Sequence, residues 1–318
     1  MTQKYPKIVF FGTPDFAVES LAALVDAGEN IAAVVTMPDK IAGRGHKMIQ
    51  SPVKDYALAH NLEVLQPERL KSDEFVNRLH EINADLFIVI AFRMLPEIVW
   101  SMPALGTFNL HGSLLPRYRG AAPLNWAVIN GETETGVTTF FLKHEIDTGD
   151  IIDSERIEIG PDENVGSVHD RLMKIGARLT LSTVERIRRG NLTAVSQDKL
   201  LNGEEPTPAP KIFKETCEIH WDRPMKEVHN LVRGLSPYPG AWTDINGNIL
   251  KIFATSLSGA RTSDKAPGTP IADHGRLWIT CADGKAIEVL EIQPTGKRKM
   301  PVADFLNGLR PGNGIVEV

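Results

Sequence analysis

Short apolar runs alternate with helix-length amphipathic stretches through the first half of the chain. Lys7–Gly12 (KIVFFG) predicts a buried strand, and 15–27, with Phe16, Leu21, Leu24 and Val25 at helical spacing, predicts a helix. The alternation continues with a strand at 30–36, a helix at 52–60, a short strand at 62–66 and a helix at 72–82 capped by Ser72. Strands follow at 84–91 (ADLFIVIA), 106–111 (GTFNLH), 136–142 and 150–159, and then a long helix at 165–189. Strands that are apolar at every position are buried on both faces, as in a parallel sheet with helices on either side. The expected fold is therefore α/β, with a Rossmann-like, doubly wound, mostly parallel sheet.

Beyond residue 200 the pattern changes. Residues 201–211 (LNGEEPTPAPK) carry three prolines and no periodicity, which marks a linker. An amphipathic helix at 225–235 precedes short strands at 242–244, 249–256, 275–280 and 286–293, separated by Gly, Asp and Asn turns. That spacing suits a small, OB-like β-barrel. The expected organisation is a first domain at 1–200, a linker at 201–211 and a C-terminal β-barrel domain at 212–318. Two domains of roughly 150 residues agree with the length.

Composition narrows the class. With 42% hydrophobic and 24% charged residues the chain lies in the globular range, which excludes a disordered, collagenous or coiled-coil protein. No apolar run approaches the roughly 20 residues needed to cross a bilayer, and the N-terminus enters a strand without a leader-like stretch. No membrane partner is expected. Cys217 and Cys281 are too far apart for a CxxC clip, and the histidines are scattered, so neither a disulfide framework nor a metal site is expected. A reducing cytoplasm follows. The net charge of −5 argues against indiscriminate nucleic-acid binding, but it is unevenly spread. From Thr207 onward there are 14 basic and 12 acidic residues, against 21 and 28 before it. Such an imbalance points to an anionic partner at the second domain.

The opening strand ends in Gly12-Thr13-Pro14-Asp15 rather than GxGxxG, and Asp15 would oppose a pyrophosphate, so a nicotinamide enzyme is not expected. Asn109 and His111 stand two apart, hence on one face of a strand, at the carboxyl end where open α/β sheets place ligands. Together they could hold a developing oxyanion, or simply finish a strand with two satisfied polar groups. Asp147-Thr148-Gly149-Asp150 is either plain turn chemistry or the source of an acid that would charge His111. Ser113 to Gly120 forms a stiff loop of apolar, aromatic and basic groups, suited to an aromatic, partly anionic ligand. By residue type Ser113, His111 and Asp147 could also be a hydrolase set, but Ser113 lies outside a GxSxG elbow and only two positions from its base. Lys40, Arg44 and Lys47, around glycines 43 and 45, would form a mobile phosphate-binding loop or an ordinary solvated one. The same two readings apply to Lys297-Arg298-Lys299.

The string at 109–123 (NLHGSLLPRYRGAAP), with its spacing to Asp147-Thr148-Gly149, resembles the core of the folate-dependent formyltransferases. The resemblance implies Asn109, His111 and Asp147 as catalytic trio and Ser113, Leu114, Leu115 and Pro116 as lining of the folate site. It also implies 10-formyltetrahydrofolate as formyl donor, without a metal. These motifs would equally fit members acting on glycinamide ribonucleotide or sugar nucleotides, or a folate hydrolase domain. Three further segments, 10–18 (FFGTPDFAV), 37–47 (MPDKIAGRGHK) and the pair 234–242 (GLSPYPGAW) and 293–300 (QPTGKRKM), are similar to the members that formylate methionyl initiator tRNA.

That similarity implies transfer to the α-amine of the tRNA-bound methionine, in support of translation initiation. Lys40, Arg44, Lys47, Lys297, Arg298 and Lys299 would be the tRNA contacts, and the protein a cytoplasmic monomer. A sugar-nucleotide amine is the alternative acceptor, and a non-catalytic RNA-binding protein would need a broken trio. Two departures stand out. Residues 91–96 (AFRMLP) replace the family's aromatic-glycine-leucine stretch, so Arg93 either contacts folate or faces solvent. His144 occupies a place where the family more often has an acid.

Overall fold

A computed structural model of the chain describes residues 5–42, 47–201, 203 and 205–309. The chain divides into two compact units, one of 1–120, 136–157 and 169–208 and one of 121–135, 158–168 and 209–318. The first is built on β1 (Lys7–Gly12), β2 (Asn30–Val35), β3 (Val64–Leu65), β4 (Leu86–Ile90), β5 (Thr107–His111), β6 (Glu134–Phe141) and β7 (Ile151–Glu158). They form one sheet in the order β7-β6-β5-β4-β1-β2-β3. Pairing is parallel from β3 through β5, and β6 joins β5 antiparallel. The mostly parallel, doubly wound sheet expected from the apolar strands is the one observed.

Each face has its own helical cover, as period-two side chains demand. Val9, Phe11, Phe87 and Val89 share a core with Phe75, Val76, Leu79 and Ile82 of α3 (Asp73–Ile82), which follows α1 (Asp15–Asp26) and α2 (Pro52–Ala59). On the opposite face Leu110 meets Gly176 of α4 (Val165–Arg189), where an added Cβ would lie 2.7 Å from Leu110 Cδ2. Ser51 caps α2 by accepting the Lys54 N–H at 3.1 Å. Ser72 occupies the N-cap position of α3, but its hydroxyl donates to the Arg69 carbonyl at 3.0 Å instead of capping the helix.

Two segments expected as loops make defined backbone contacts. The segment read as a mobile loop is a hairpin at its base, with Lys40 opposite Ile49, Ile41 opposite Met48 and Ala42 opposite Lys47. Gly43, Arg44, Gly45 and His46 lie outside the described residues. Within the proline-rich segment, the Thr207 carbonyl accepts the Tyr118 N–H at 2.7 Å. Among the described residues no helix is long and apolar enough to cross a membrane.

The second unit holds α5 (Met225–Gly234) and β8 (Ala241–Ile245), β9 (Asn248–Thr262), β10 (Pro270–Asp273), β11 (Arg276–Thr280) and β12 (Lys285–Pro294). These strands pair antiparallel in the order β8-β9-β12-β11-β10, and Met300–Pro301 adds a sixth strand against β12. This is the small antiparallel domain that the turn spacing predicted. β9 runs well past its predicted end because register shifts near Ala254 and beyond Ser256 let it bend and keep pairing. Leu250, Ile252, Ile279, Val289 and Ile292 meet Val228 and Val232 of α5 in its core.

α5 also holds the two earlier segments of this unit. The Arg233 guanidinium, itself buried, donates to the carbonyls of Gly160 at 3.3 Å and Glu163 at 3.0 Å, while Asn125 donates to the Gly234 carbonyl at 2.8 Å. His229, 2% exposed, donates from Nε2 to the Pro161 carbonyl at 3.2 Å and accepts the Thr255 hydroxyl at Nδ1, 2.9 Å away. Burial pushes its pKa below the ordinary 6.5; the Pro161 carbonyl and Asp162 oppose that shift and Arg233 reinforces it. Between the lowered folded value and the unfolded one near 6.5, the unfolded chain binds the extra proton, so stability rises with pH. Thermal denaturation from pH 7.5 down to 5.5 should therefore show an acid-side loss that is reduced in His229→Gln. An identical slope in the variant would overturn this assignment.

Candidate active site

The site grows from the carboxyl end of β5. Asn109 stands opposite Val89 of β4 and Phe140 of β6, so its side chain shares the face of Val89, and His111 follows two residues on. Asn109 is half-buried, and His111 is 8% exposed. The loop after β5 then folds back over the strand. The Ser113 hydroxyl donates to the Arg117 carbonyl at 2.8 Å, and Thr138 of β6 ties the loop twice. Its hydroxyl donates to the Ser113 carbonyl at 2.7 Å and accepts the Leu115 N–H at 3.2 Å. Tyr118 takes a left-handed backbone, φ 61°, and its carbonyl accepts His111 Nε2–H at 2.9 Å. A carbonyl can only accept, so Nε2 keeps its proton and Nδ1 is the nitrogen left for exchange.

His111 Nδ1 lies 3.8 Å from Asp147 Oδ2, beyond a direct hydrogen bond but within the reach of one intervening small atom group. Asp147 is also left-handed, at φ 56°, and its Oδ2 accepts the Gly120 N–H at 3.0 Å. The turn around it is clamped by Gln197, 1% exposed, whose amide donates at 2.8 Å to the carbonyls of both Asp147 and Gly149. Arg119 donates twice to the Gln197 oxygen, at 3.0 and 2.8 Å. At Gly149 an added Cβ would stand 1.5 Å from the Phe141 carbonyl oxygen, so no other residue fits there. The result is an amide donor, a protonatable nitrogen and a carboxylate held on a rigid frame, a set able to stabilise developing negative charge and move a proton.

The other predicted residues are placed as follows. Ser113 is fully buried and its hydroxyl serves Arg117, not His111, which removes the geometry of a serine nucleophile. Leu115 packs with Phe140 and Ile151, whereas Leu114, beside Gly136, and Pro116 remain half-buried. Arg93 is half-buried and, among the described residues, pairs with no acid. Its guanidinium donates to the Glu68 carbonyl at 2.8 Å and to that of Pro67, while Nε is buried without a hydrogen-bond partner. Burial lowers its pKa. His144 pairs with Glu97 at 3.0 Å and meets Trp100 edge-on.

Lys40 is exposed at the start of its hairpin, Lys47 is placed by its backbone opposite Ala42, and Arg44 is outside the described residues. In the second unit Lys297 and Arg298 are exposed, and Lys299 is ion-paired with Glu291 at 2.8 Å. Sequence reasoning missed Gln197, Thr138 and the Tyr118 carbonyl. Gln197 lies 50 residues from Asp147, and no local pattern links them.

The profile described as "Formyl transferase" matches residues 6–184, and that of "Formyl transferase, C-terminal domain" matches 211–310. A methionyl-tRNA formyltransferase of Bacteroides fragilis is 52% identical over 307 residues, covering 95% of this chain and 94% of its own. One from Porphyromonas gingivalis is 45% identical, covering 97% of each. Among solved structures, WlaRD, a sugar 3N-formyl transferase with dTDP and 5-N-formyl-THF, superposes with a TM-score of 0.65 at 19% identity, covering 93% of this chain and 100% of that one. HypX from Aquifex aeolicus in complex with tetrahydrofolic acid gives 0.62 at 20% identity, over 99% of this chain and 49% of that one. Both structural likenesses are of fold. With two profiles matched in order and relatives of this identity from end to end, the chain belongs to the formyl transferase family.

Proposed function

We propose that the protein transfers the formyl group of 10-formyltetrahydrofolate to the α-amine of methionyl initiator tRNA. End-to-end similarity to methionyl-tRNA formyltransferases, at 52% identity, carries the choice of acceptor. The choice of chemistry rests on His111, pinned through Nε2 with Nδ1 turned to Asp147. Residues 1–200 would carry the chemistry, and 212–318, beyond the linker at 201–211, the tRNA. Lys40, Arg44, Lys47 and Lys297 to Lys299 would meet phosphates. The enzyme would act as a cytoplasmic monomer.

The strand ends suit a folate. The order reverses between β1 and β4, where open α/β sheets take ligands. At that crevice the Thr13 hydroxyl is buried without a partner among the described residues, and Ala91 leaves β4 in a left-handed turn, φ 47°. Leu114 and Pro116, half-buried in the loop after β5, offer apolar surface to a pterin. When bound, the folate supplies the formyl carbon that the methionine amine attacks.

Asn109 donates an N–H to the formyl oxygen as negative charge develops there. His111, protonated at Nδ1, provides a second, charged donor. Asp147 holds the imidazolium and accepts the proton that the amine must lose. That proton balances the one required by the departing folate nitrogen, so none is gained or lost overall.

A single donor of this kind is worth about 3–4 kcal/mol, so Asn109→Ala should lose on the order of a hundredfold or more in kcat. Near-normal turnover would refute the oxyanion role. Gln197→Ala, which frees the Asp147 turn, should lower kcat roughly tenfold, about 1.4 kcal/mol, with the folate KM little changed. The assay compares methionyl initiator tRNA, methionyl elongator tRNA and an amino-sugar nucleotide as acceptors. Turnover with the amino sugar alone would overturn the choice of acceptor, and release of formate without any acceptor would make the protein a hydrolase.

A further inference from the structure

Beyond the carboxyl end of β2 the chain forms a hairpin that the sheet does not hold. Its two strands, Lys40–Ala42 and Lys47–Ile49, have three residues each and, among the described residues, pair only with each other. A two-stranded ribbon this short is marginal in water. Packing adds little, since Met48 is 65% and Ile49 53% exposed. The direction of the hairpin is therefore set where it joins the domain.

Both of its feet are pinned there. The chain enters through Thr36 to Asp39 and leaves through Ser51 into α2. The Thr36 and Ser51 hydroxyls share a hydrogen bond at 2.7 Å, with Thr36 fully buried. Three residues further along each foot, the Lys54 ammonium donates to Asp39 Oδ2 at 2.6 Å. The Lys54 and Asp39 side chains are only 13% and 17% exposed, so water has little access to replace that bond.

The loop after β3 buttresses these two rungs. The Gln66 amide donates to Asp39 Oδ1 at 2.7 Å and to the Met37 carbonyl at 2.9 Å, so both carboxylate oxygens are taken. The next two residues of that loop are held in turn by Arg93, whose guanidinium donates to the carbonyls of Pro67 and Glu68. Arg93 lies three residues past β4, whose Val89 stands beside Asn109. One run of contacts thus leads from the end of β4, through the loop after β3, to the base of the hairpin.

We infer that Asp39, Lys54, Gln66 and Arg93 are positioning residues that fix the direction of this hairpin relative to the trio, and so set where the acceptor end of the tRNA is received. The inference rests on tRNA being the acceptor. It gives Lys54 a different part from Lys40 and Lys47, because its ammonium is committed to Asp39 inside the protein. It also accounts for Arg93, whose guanidinium spans two loops through backbone carbonyls.

The test is formylation kinetics of the full-length protein, with tRNA and folate varied separately, together with the initial rate of tryptic cleavage between residues 40 and 47. Asp39→Ala should raise the tRNA KM on the order of tenfold, with kcat at saturating tRNA and the folate KM within about twofold of wild type. Cleavage of the hairpin should quicken as local opening becomes easier. The sign separates this role from a simple charge effect. Removing an acid beside an RNA site would by itself tighten binding of a polyanion, so a raised KM reports lost direction. Lys54→Arg, which keeps charge and donors, should stay near wild type. Lys54→Met should match Asp39→Ala, and the two together should be no worse than either alone, because they break one tie. Gln66→Leu leaves the ion pair in place, so it carries the test if Asp39→Ala folds poorly, and it should raise the tRNA KM by a smaller factor. Wild-type tRNA KM and cleavage rates in all these variants, with initiator tRNA still formylated, would overturn the inference and leave the activity standing. A raised folate KM with an unchanged tRNA KM would also overturn it, assigning the tie to the folate crevice. If the wild-type enzyme does not formylate tRNA, the acceptor assignment itself is wrong, and this inference falls with it.

Discussion

One hydrogen bond decides what the site can do. The Tyr118 carbonyl takes the Nε2 proton of His111 at 2.9 Å, and the only ring nitrogen then free to change protonation faces Asp147. Reaching that carbonyl requires the loop after β5 to double back, with Tyr118 in a backbone region that bulky residues avoid. The cost is met locally by the Ser113–Arg117 bond, the Thr138 hydroxyl and the Thr207 carbonyl on the Tyr118 N–H. Removing any of these ties would loosen the tautomer before it touched the fold.

The sheet makes this possible by keeping the strand ends in fixed relation. β4 and β5 run parallel with Val89 beside Asn109, so the trio borrows its rigidity from a core that is apolar on the side of α3 and close-packed against Gly176 on the other. The Asp147 turn is secured differently. Gln197 and Gly149 hold it through backbone carbonyls, an arrangement that is indifferent to most side chains and strict only at those two positions.

The fold was legible wherever burial was two-sided. Lys7–Gly12 and the interior of 84–91 are apolar at every position, a pattern with few alternatives, and α4 was delimited from its periodicity alone. What escaped was short or bent. The helix Pro123–Ile129 has under two turns, β10 is a four-residue edge strand opening on proline, and the end of β9 is polar and interrupted by register shifts. Glycines 43 and 45 argued for a loop, and the short strands on either side of it, only three residues each, had no signal of their own. In the site, Asn109 and His111 were readable because a spacing of two on a strand means a shared face. Asp147 was one of two readings of a turn until the resemblance chose between them, and Gln197 had no local signal, since only the tertiary fold brings it to the Asp147 turn. The carbonyl contacts of Arg93 could not be foreseen, because backbone carbonyls are invisible in a sequence.

The second unit is assembled from three separated stretches of chain, with Arg233, His229 and Gly234 of α5 receiving 121–135 and 158–168. During synthesis those two stretches leave the ribosome well before the helix that completes them. Their carbonyls and apolar side chains must wait, solvated, for residues 225–234 to emerge. A nascent chain halted in the proline-rich segment would therefore be more than a first domain lacking its second, for it would display two strips of surface meant for a partner not yet made.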